Sequence, residues 1–168
     1  MMDKVALLIG GNQGDRHALI EQATVQIQQR IGTVVAVSRV YETEPWGEFE
    51  IENSKLKIEN FLNRALLVET AMLPHEVLRE ALAIEAELGR ERSSGGAVLG
   101  SHRLYHSRPM DIDIIFYGDA VIDTPDLVVP HPRMHERRFV LEPLAEIMPD
   151  YIHPIMGKTV KELLEELA

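Results

Sequence analysis

Two helix-period segments set between strand-like runs constrain this chain more than any other feature. Leu19, Ala23, Ile27 and Ile31 recur every four residues, and Val77, Ala81, Ile84 and Leu88 recur at three or four. Either spacing lays its set along one face of a helix. The runs around them, residues 4–9, 33–41, 61–70 and 108–117, are rich in β-branched or other apolar residues and read as strands. Gly10-Gly11-Asn12-Gln13-Gly14-Asp15 reads as a turn, with Asp15 capping the first helix and Gly32 stopping it. Pro74 opens the second helix and Gly89 ends it. Residues 42–60 and 91–107 have no period and read as long loops. Gly118-Asp119 predicts a hairpin turn into residues 120–122, and short helices follow at 139–147 and 160–167. The order β-α-β-β-α-β predicts a ferredoxin-like α+β sandwich with a mostly antiparallel sheet. Its helices would pack on one face, with an extra C-terminal hairpin and helices.

Size agrees with a single domain over residues 1–168, since a chain of that length, 45% hydrophobic, can bury a full core. It has no cysteine, which excludes disulfides and thiolate chemistry. No apolar run approaches the ~18 residues of a membrane span, and the start lacks the flanks of a signal peptide, so a cytoplasmic protein is expected. The net charge of −10 argues against nucleic acid as a partner. Seven of the 17 lysines and arginines nevertheless fall in two windows: Arg90, Arg92, Arg103 and Arg108, then Arg133, Arg137 and Arg138. Four of the seven histidines lie there too, at 102, 106, 131 and 135. Cations concentrated in this way suit a small polyanion; ordinary loop cations are the plainer reading.

The strand beginning Arg108-Pro109-Met110-Asp111-Ile112-Asp113-Ile114 carries the chemistry. Alternation sends Asp111 and Asp113 to one face and Ile112, Ile114 and Phe116 to the other, toward the helices. The carboxylates then root roughly 6–7 Å apart on an open face, a spacing that two divalent cations can share. A solvated acidic edge would show the same pattern.

Five separated segments carry a resemblance. They are 41–47 (Tyr-Glu-Thr-Glu-Pro-Trp-Gly), 61–63 (Phe-Leu-Asn), 84–92 (Ile-Glu-x-x-Leu-Gly-Arg-x-Arg), 108–114 (Arg-x-x-Asp-Ile-Asp-Ile) and 130–144 (Pro-His-Pro-Arg-Met-x-x-Arg-x-Phe-Val-Leu-x-Pro-Leu). In that order they resemble the 6-hydroxymethyl-7,8-dihydropterin pyrophosphokinase family of folate biosynthesis, from Gly10 to about Pro154. The resemblance implies an ATP-dependent diphosphotransferase that moves pyrophosphate from ATP to the pterin hydroxymethyl group, leaving AMP. It implies two magnesium ions on Asp111 and Asp113, with Arg108 and Arg92 as catalytic cations. Glu85, Arg90, Arg92, Arg108, Ile114, His131 and Arg137 would meet the nucleotide. Thr43, Pro45, Trp46, Phe61, Asn63 and Phe139 would hold the pterin, Asn63 through its paired donor and acceptor. The chain departs from the family pattern at His106-Ser107, where Gly-Pro is frequent, and at Tyr105, where an indole is.

The glycine- and cation-bearing segment 91–107 is expected to be a mobile lid. The expected partners are small molecules only, ATP and a reduced pterin, acting on a monomer, with a weak dimer as the alternative. Two other readings share parts of this pattern. A ferredoxin-like ligand-sensing module would have no need of paired carboxylates, and another two-metal phosphoryl or nucleotidyl transferase would lack the Asn63 slot.

Overall fold

The computed structural model describes residues 2–43, 60–90 and 109–167, the side chain of Arg90 excepted. Strand β1 (Asp3–Gly11) leads into helix α1 (Arg16–Arg30), whose first turn is capped by the Asp15 carboxylate accepting from the Ala18 N–H at 3.3 Å. Next come β2 (Thr33–Val37), β3 (Tyr41–Thr43), β4 (Phe61–Thr70), α2 (Pro74–Arg90) and β5 (Asp111–Tyr117). A β6–β7 hairpin (Ile122–Thr124, Leu127–Val129), a 3₁₀ turn (Met134–Glu136), α3 (Arg138–Ile147) and α4 (Val160–Glu166) complete the fold. Among the described residues no helix is long and apolar enough to cross a membrane.

The main sheet runs β2–β4–β1–β5, with β3 also paired to β4, and every pairing is antiparallel. Each strand–helix–strand unit is thus split by a strand of the other. Two apolar layers sandwich the sheet. Val5, Leu7, Ile9, Leu66 and Val68 pack with Ile20, Ile27, Val77 and Ile84 of α1 and α2. Ala6, Leu8, Ala65, Ile115 and Phe116 pack with Val140, Leu141, Leu144 and Leu163 of α3 and α4. At about 1.5–3 kcal/mol for each fully buried large aliphatic side chain, these layers dominate the folding free energy.

The second layer corrects the expectation that helices occupy one face. α1 and α2 take that face, while α3 and α4 cover part of the other, so only the remainder stays open. Phe116 is corrected with it. The β1–β5 register slips between Ala6 and Leu7, so Leu7 opposes Ile114, Ala6 opposes Phe116, and Ile115 is an extra, bulged residue. Ile115 and Phe116 therefore both join the α3–α4 layer. Tyr117 returns to the α1–α2 side, where its hydroxyl bonds the Met72 carbonyl and the Asp3 carboxylate.

Smaller departures have equally local causes. The valine-rich run at 33–41 is two strands, because the buried Ser38 turns its hydroxyl back to the Arg39 carbonyl and also accepts from the Ala65 N–H. Gly10 and Gly11 belong to β1 rather than to the turn, and Gly89 lies inside the last turn of α2. Gly118 does make a turn, at φ +54°, but the strand after it pairs with β7 and not with β5.

Candidate active site

Register builds the site. Across four adjacent strands, Tyr41 pairs with Asn63, Asn63 with Gly10, and Gly10 with Asp111. Directly opposed residues share a face, so these four form one row on the α3 side of the sheet. One step along, Ala65, Leu8 and Asp113 form the next row, and α3 and α4 begin to cover it.

Gly10 is the floor of the first row. A Cβ at this position would fall 2.1 Å from the Leu62 carbonyl oxygen and 2.6 Å from Asn63 Oδ1. Only glycine lets the Asn63 side chain lie against β1. Asn63 is 6% exposed, yet its Nδ2 has no hydrogen-bond partner among the described residues. Leaving such a donor unpaired costs about 1–3 kcal/mol, which an acceptor on a bound ligand would offset. Phe61 lies two residues before Asn63 on the same face and opposite Thr43, both partly exposed. Phe139 lies in the first turn of α3 with the Arg137 guanidinium 5.7 Å from its ring centre.

Asp111 and Asp113 stand on β5, partly buried, on the expected face. Their donors are all hard oxygens on one strand, rooted about 6–7 Å apart, which suits magnesium and leaves most of its shell to water and ligand phosphates. Among the described residues no third carboxylate or histidine joins them in a cluster. Two elements hold this strand's outer edge. The Glu85 carboxylate of α2 accepts the Ile112 N–H at 2.6 Å, and the His131 N–H reaches the Ile115 carbonyl at 3.0 Å.

The second bond brings the 131–137 segment, and its cations, beside Asp113. Arg137 is pushed below its usual range by burial and by Arg133, while Asp113 and Glu136 pull it back; a guanidinium remains cationic at neutral pH regardless. The His131 imidazole is pushed down by burial first, then by Arg137 and Arg133. It is therefore neutral at pH 7. Its Nδ1 accepts the Arg133 N–H at 3.4 Å, which leaves the proton on Nε2 as a donor.

The structure thus brings Asn63, Phe61, Thr43, Asp111 and Asp113 onto one face and His131 and Arg137 beside it. Ile114 differs: its side chain is 5% exposed in the α1–α2 layer, so it has only backbone to offer a ligand. Glu85 holds the edge of β5. Arg90 ends α2, and its side chain, together with Pro45, Trp46, Arg92, Arg108 and the segment 91–107, lies outside the described residues. Sequence alone gave no role to Gly10, whose Gly-Gly pair looked like a turn, or to Tyr41, which opens the 41–47 segment, and no motif marked Glu146.

Comparison with known proteins follows the same lines. The sequence model of the family described as 7,8-dihydro-6-hydroxymethylpterin-pyrophosphokinase matches residues 6–149. A Porphyromonas gingivalis protein named 2-amino-4-hydroxy-6-hydroxymethyldihydropteridine pyrophosphokinase is 40% identical over 151 residues, covering 89% of this chain and 93% of its own. An Aquifex aeolicus protein of the same name is 39% identical over 166 residues, 98% of this chain and 92% of its own. A crystal structure of Plasmodium falciparum HPPK-DHPS superposes with a TM-score of 0.70 at 16% identity, over 99% of this chain but 45% of that one. That last likeness is one of fold, and this chain spans just under half the length of the solved neighbour.

Proposed function

Because the chain belongs to the 7,8-dihydro-6-hydroxymethylpterin-pyrophosphokinase family, we propose a division of labour across the sheet face for its reaction. The enzyme transfers pyrophosphate from ATP to the hydroxymethyl group of 6-hydroxymethyl-7,8-dihydropterin, in folate synthesis. The β4 end of the glycine row takes the pterin, and the β5 end takes the polyphosphate. Asn63 presents a donor and an acceptor in one plane to the pterin's amide edge, and Phe61 and Phe139 supply apolar faces for the ring. Thr43, with Pro45 and Trp46, completes that edge.

Asp111 and Asp113 would hold magnesium, two ions in this reading, which supply charge neutralisation at the phosphate oxygens. Arg137 adds a fixed positive charge on the same side, and neutral His131 donates a hydrogen bond from Nε2 without adding charge. Arg90, Arg92 and Arg108 act as further phosphate clamps, Arg108 and Arg92 as the catalytic cations among them. Glu85 serves the nucleotide by holding β5 in place, and Ile114 serves it through backbone. Displacement at a phosphorus asks little covalent chemistry of the protein, so these roles are positioning and electrostatics.

The observation that carries the reading is the buried Nδ2 of Asn63, unpartnered among the described residues, in one row with Asp111. It gives the polyphosphate end a companion slot for a flat amide-bearing substrate, which a generic two-metal transferase does not need. We read the split strand order as a ferredoxin-like core in one domain that works as a monomer. Incubation with ATP, magnesium and 6-hydroxymethyl-7,8-dihydropterin should yield AMP and the pterin diphosphate. ADP as the product would overturn the reading.

A further inference from the structure

The sheet face carries one tie that the division of labour above does not use. The Tyr41 hydroxyl donates to Glu146 Oε1 at 2.8 Å. The Arg39 backbone N–H donates to both oxygens of the same carboxylate, at 3.2 and 3.3 Å, and the Arg39 guanidinium lies 4.4 Å over the Tyr41 ring. Tyr41 is the residue directly opposite Asn63, on the same face, with side-chain roots about 5 Å apart. Glu146 comes from the last turn of α3. Seven residues earlier, on the same side of that helix and about 10 Å along its axis, stands Phe139.

These facts define a span. One wall of the pterin slot is the β3–β4 edge with Thr43, Phe61 and Asn63; the other is the start of α3 with Phe139 and Arg137. β3 is three residues long and, among the described residues, pairs only with β4. So short an edge strand holds its place poorly through backbone bonds alone. The Glu146 carboxylate joins β3 to α3 at the far end of the same helix stripe, so it sets the separation of the two walls. Burial, and secondarily Glu146 itself, pushes the Tyr41 phenol up from its ordinary value. The hydroxyl therefore remains a donor throughout the working pH range.

We propose that Glu146 is a positioning residue for the pterin: through Tyr41 and the Arg39 backbone it fixes the width of the slot between β3–β4 and the Phe139 end of α3. The inference rests on the pterin assignment made above. Glu146 touches no reacting atom, so its loss widens the slot without disturbing the carboxylates on β5.

Steady-state kinetics with each substrate varied in turn decide the matter. Glu146→Ala should raise the KM for the pterin by about tenfold or more while moving the KM for ATP by no more than about twofold. Tyr41→Phe, which keeps the ring and loses only the hydroxyl bond, should shift the pterin KM in the same direction by less. Glu146→Gln, which retains an oxygen acceptor, should recover most of the loss. A pterin KM that stays at the wild-type value while the melting temperature falls would overturn the proposal, as would equal shifts in both KM values. Should Glu146→Ala fail to fold, Tyr41→Phe decides alone by the same comparison. Failure of the wild-type protein to make AMP would sink the pterin assignment itself. A wild type that makes AMP beside variants of unchanged pterin KM would sink only the role of Glu146.

Discussion

Gly10 lies under Asn63, with room for the amide only because position 10 has no Cβ; one placed there would stand 2.6 Å from Asn63 Oδ1 and 2.1 Å from the Leu62 carbonyl. The second of these atoms is backbone and cannot swing away. Gly10→Ala should therefore cost about 1–3 kcal/mol of stability, the range seen when an extra methyl is forced into packed structure. It should weaken pterin binding as well, since the strand pair must part where Asn63 sits. Urea unfolding and calorimetry with the pterin test the two effects on one sample.

Asn63→Ala separates binding from stability in the opposite way. The amide donor has no partner among the described residues, so its removal should leave the unfolding free energy nearly unchanged. Pterin affinity should fall by about tenfold or more, the usual result when a site loses the group built to pair with its ligand. ATP affinity should hold. Equal losses for both ligands would place Asn63 in the scaffold.

Asp111→Asn and Asp113→Asn keep shape and remove charge. Each should lower kcat/KM by more than about a hundredfold at saturating magnesium, as expected when the anchor for metal catalysis is lost. Far-ultraviolet circular dichroism should stay as in the wild type. Near-normal turnover in either variant would refute the metal assignment.

Glu85 reaches the active strand through a backbone N–H rather than a ligand. Glu85→Ala leaves the Ile112 N–H without that acceptor and frees the outer edge of β5. A charged hydrogen bond of this kind is worth about 1.5–3 kcal/mol, and most of that should appear as lost stability. Hydrogen exchange at Ile112 should accelerate against an unchanged rate in β4.

Acid should loosen the C-terminal turn. His153 is buried, and its Nδ1 accepts the Ile155 and Met156 N–H groups, both at 3.1 Å. Burial, then the charge of His135, pushes the imidazole below its ordinary value. The neutral ring is the folded form, so the unfolded chain binds more protons and stability rises with pH. The contribution is complete above the ordinary histidine value of about 6.5 and is lost as pH falls from there through the folded value. His153→Asn keeps an acceptor where Nδ1 stands and cannot titrate. Its urea midpoint should vary less between pH 7.5 and 5.5 (values chosen to bracket ~6.5) than the wild type's, the remaining slope including the share of His131, which shifts in the same sense.

Local pattern carried much of this architecture into the sequence. The helices at Leu19–Ile27 and Val77–Ile84 were legible because apolar residues three or four apart share one helix face, and the β4 strand because its run is apolar. The Asp111–Asp113 pair was legible from alternation alone, and so was its sharing a face. Alternation failed at Phe116 because the extra residue at Ile115 is a property of the pair of strands, and β5 alone does not record it. The partner of β6 and the placement of α3 failed for a similar reason, since both are long-range choices with no local signature. Glu146 had no signal at all: an exposed-looking glutamate late in a helix gains its role only once β3 lies beside it.

The row Tyr41–Asn63–Gly10–Asp111 also acts as a ruler of fixed pitch. From Asn63 to Asp111 is two strand spacings, about 9–10 Å, and backbone hydrogen bonds hold that distance whatever side chains evolve around it. On the pterin and metal assignments proposed above, selection among substrates by length, from recognised edge to reacting hydroxyl, would be built into the pleated sheet itself. A pterin whose hydroxyl stands one methylene farther from the ring should still dock at Asn63 and arrive out of step with the phosphorus, binding as an inhibitor and turning over poorly.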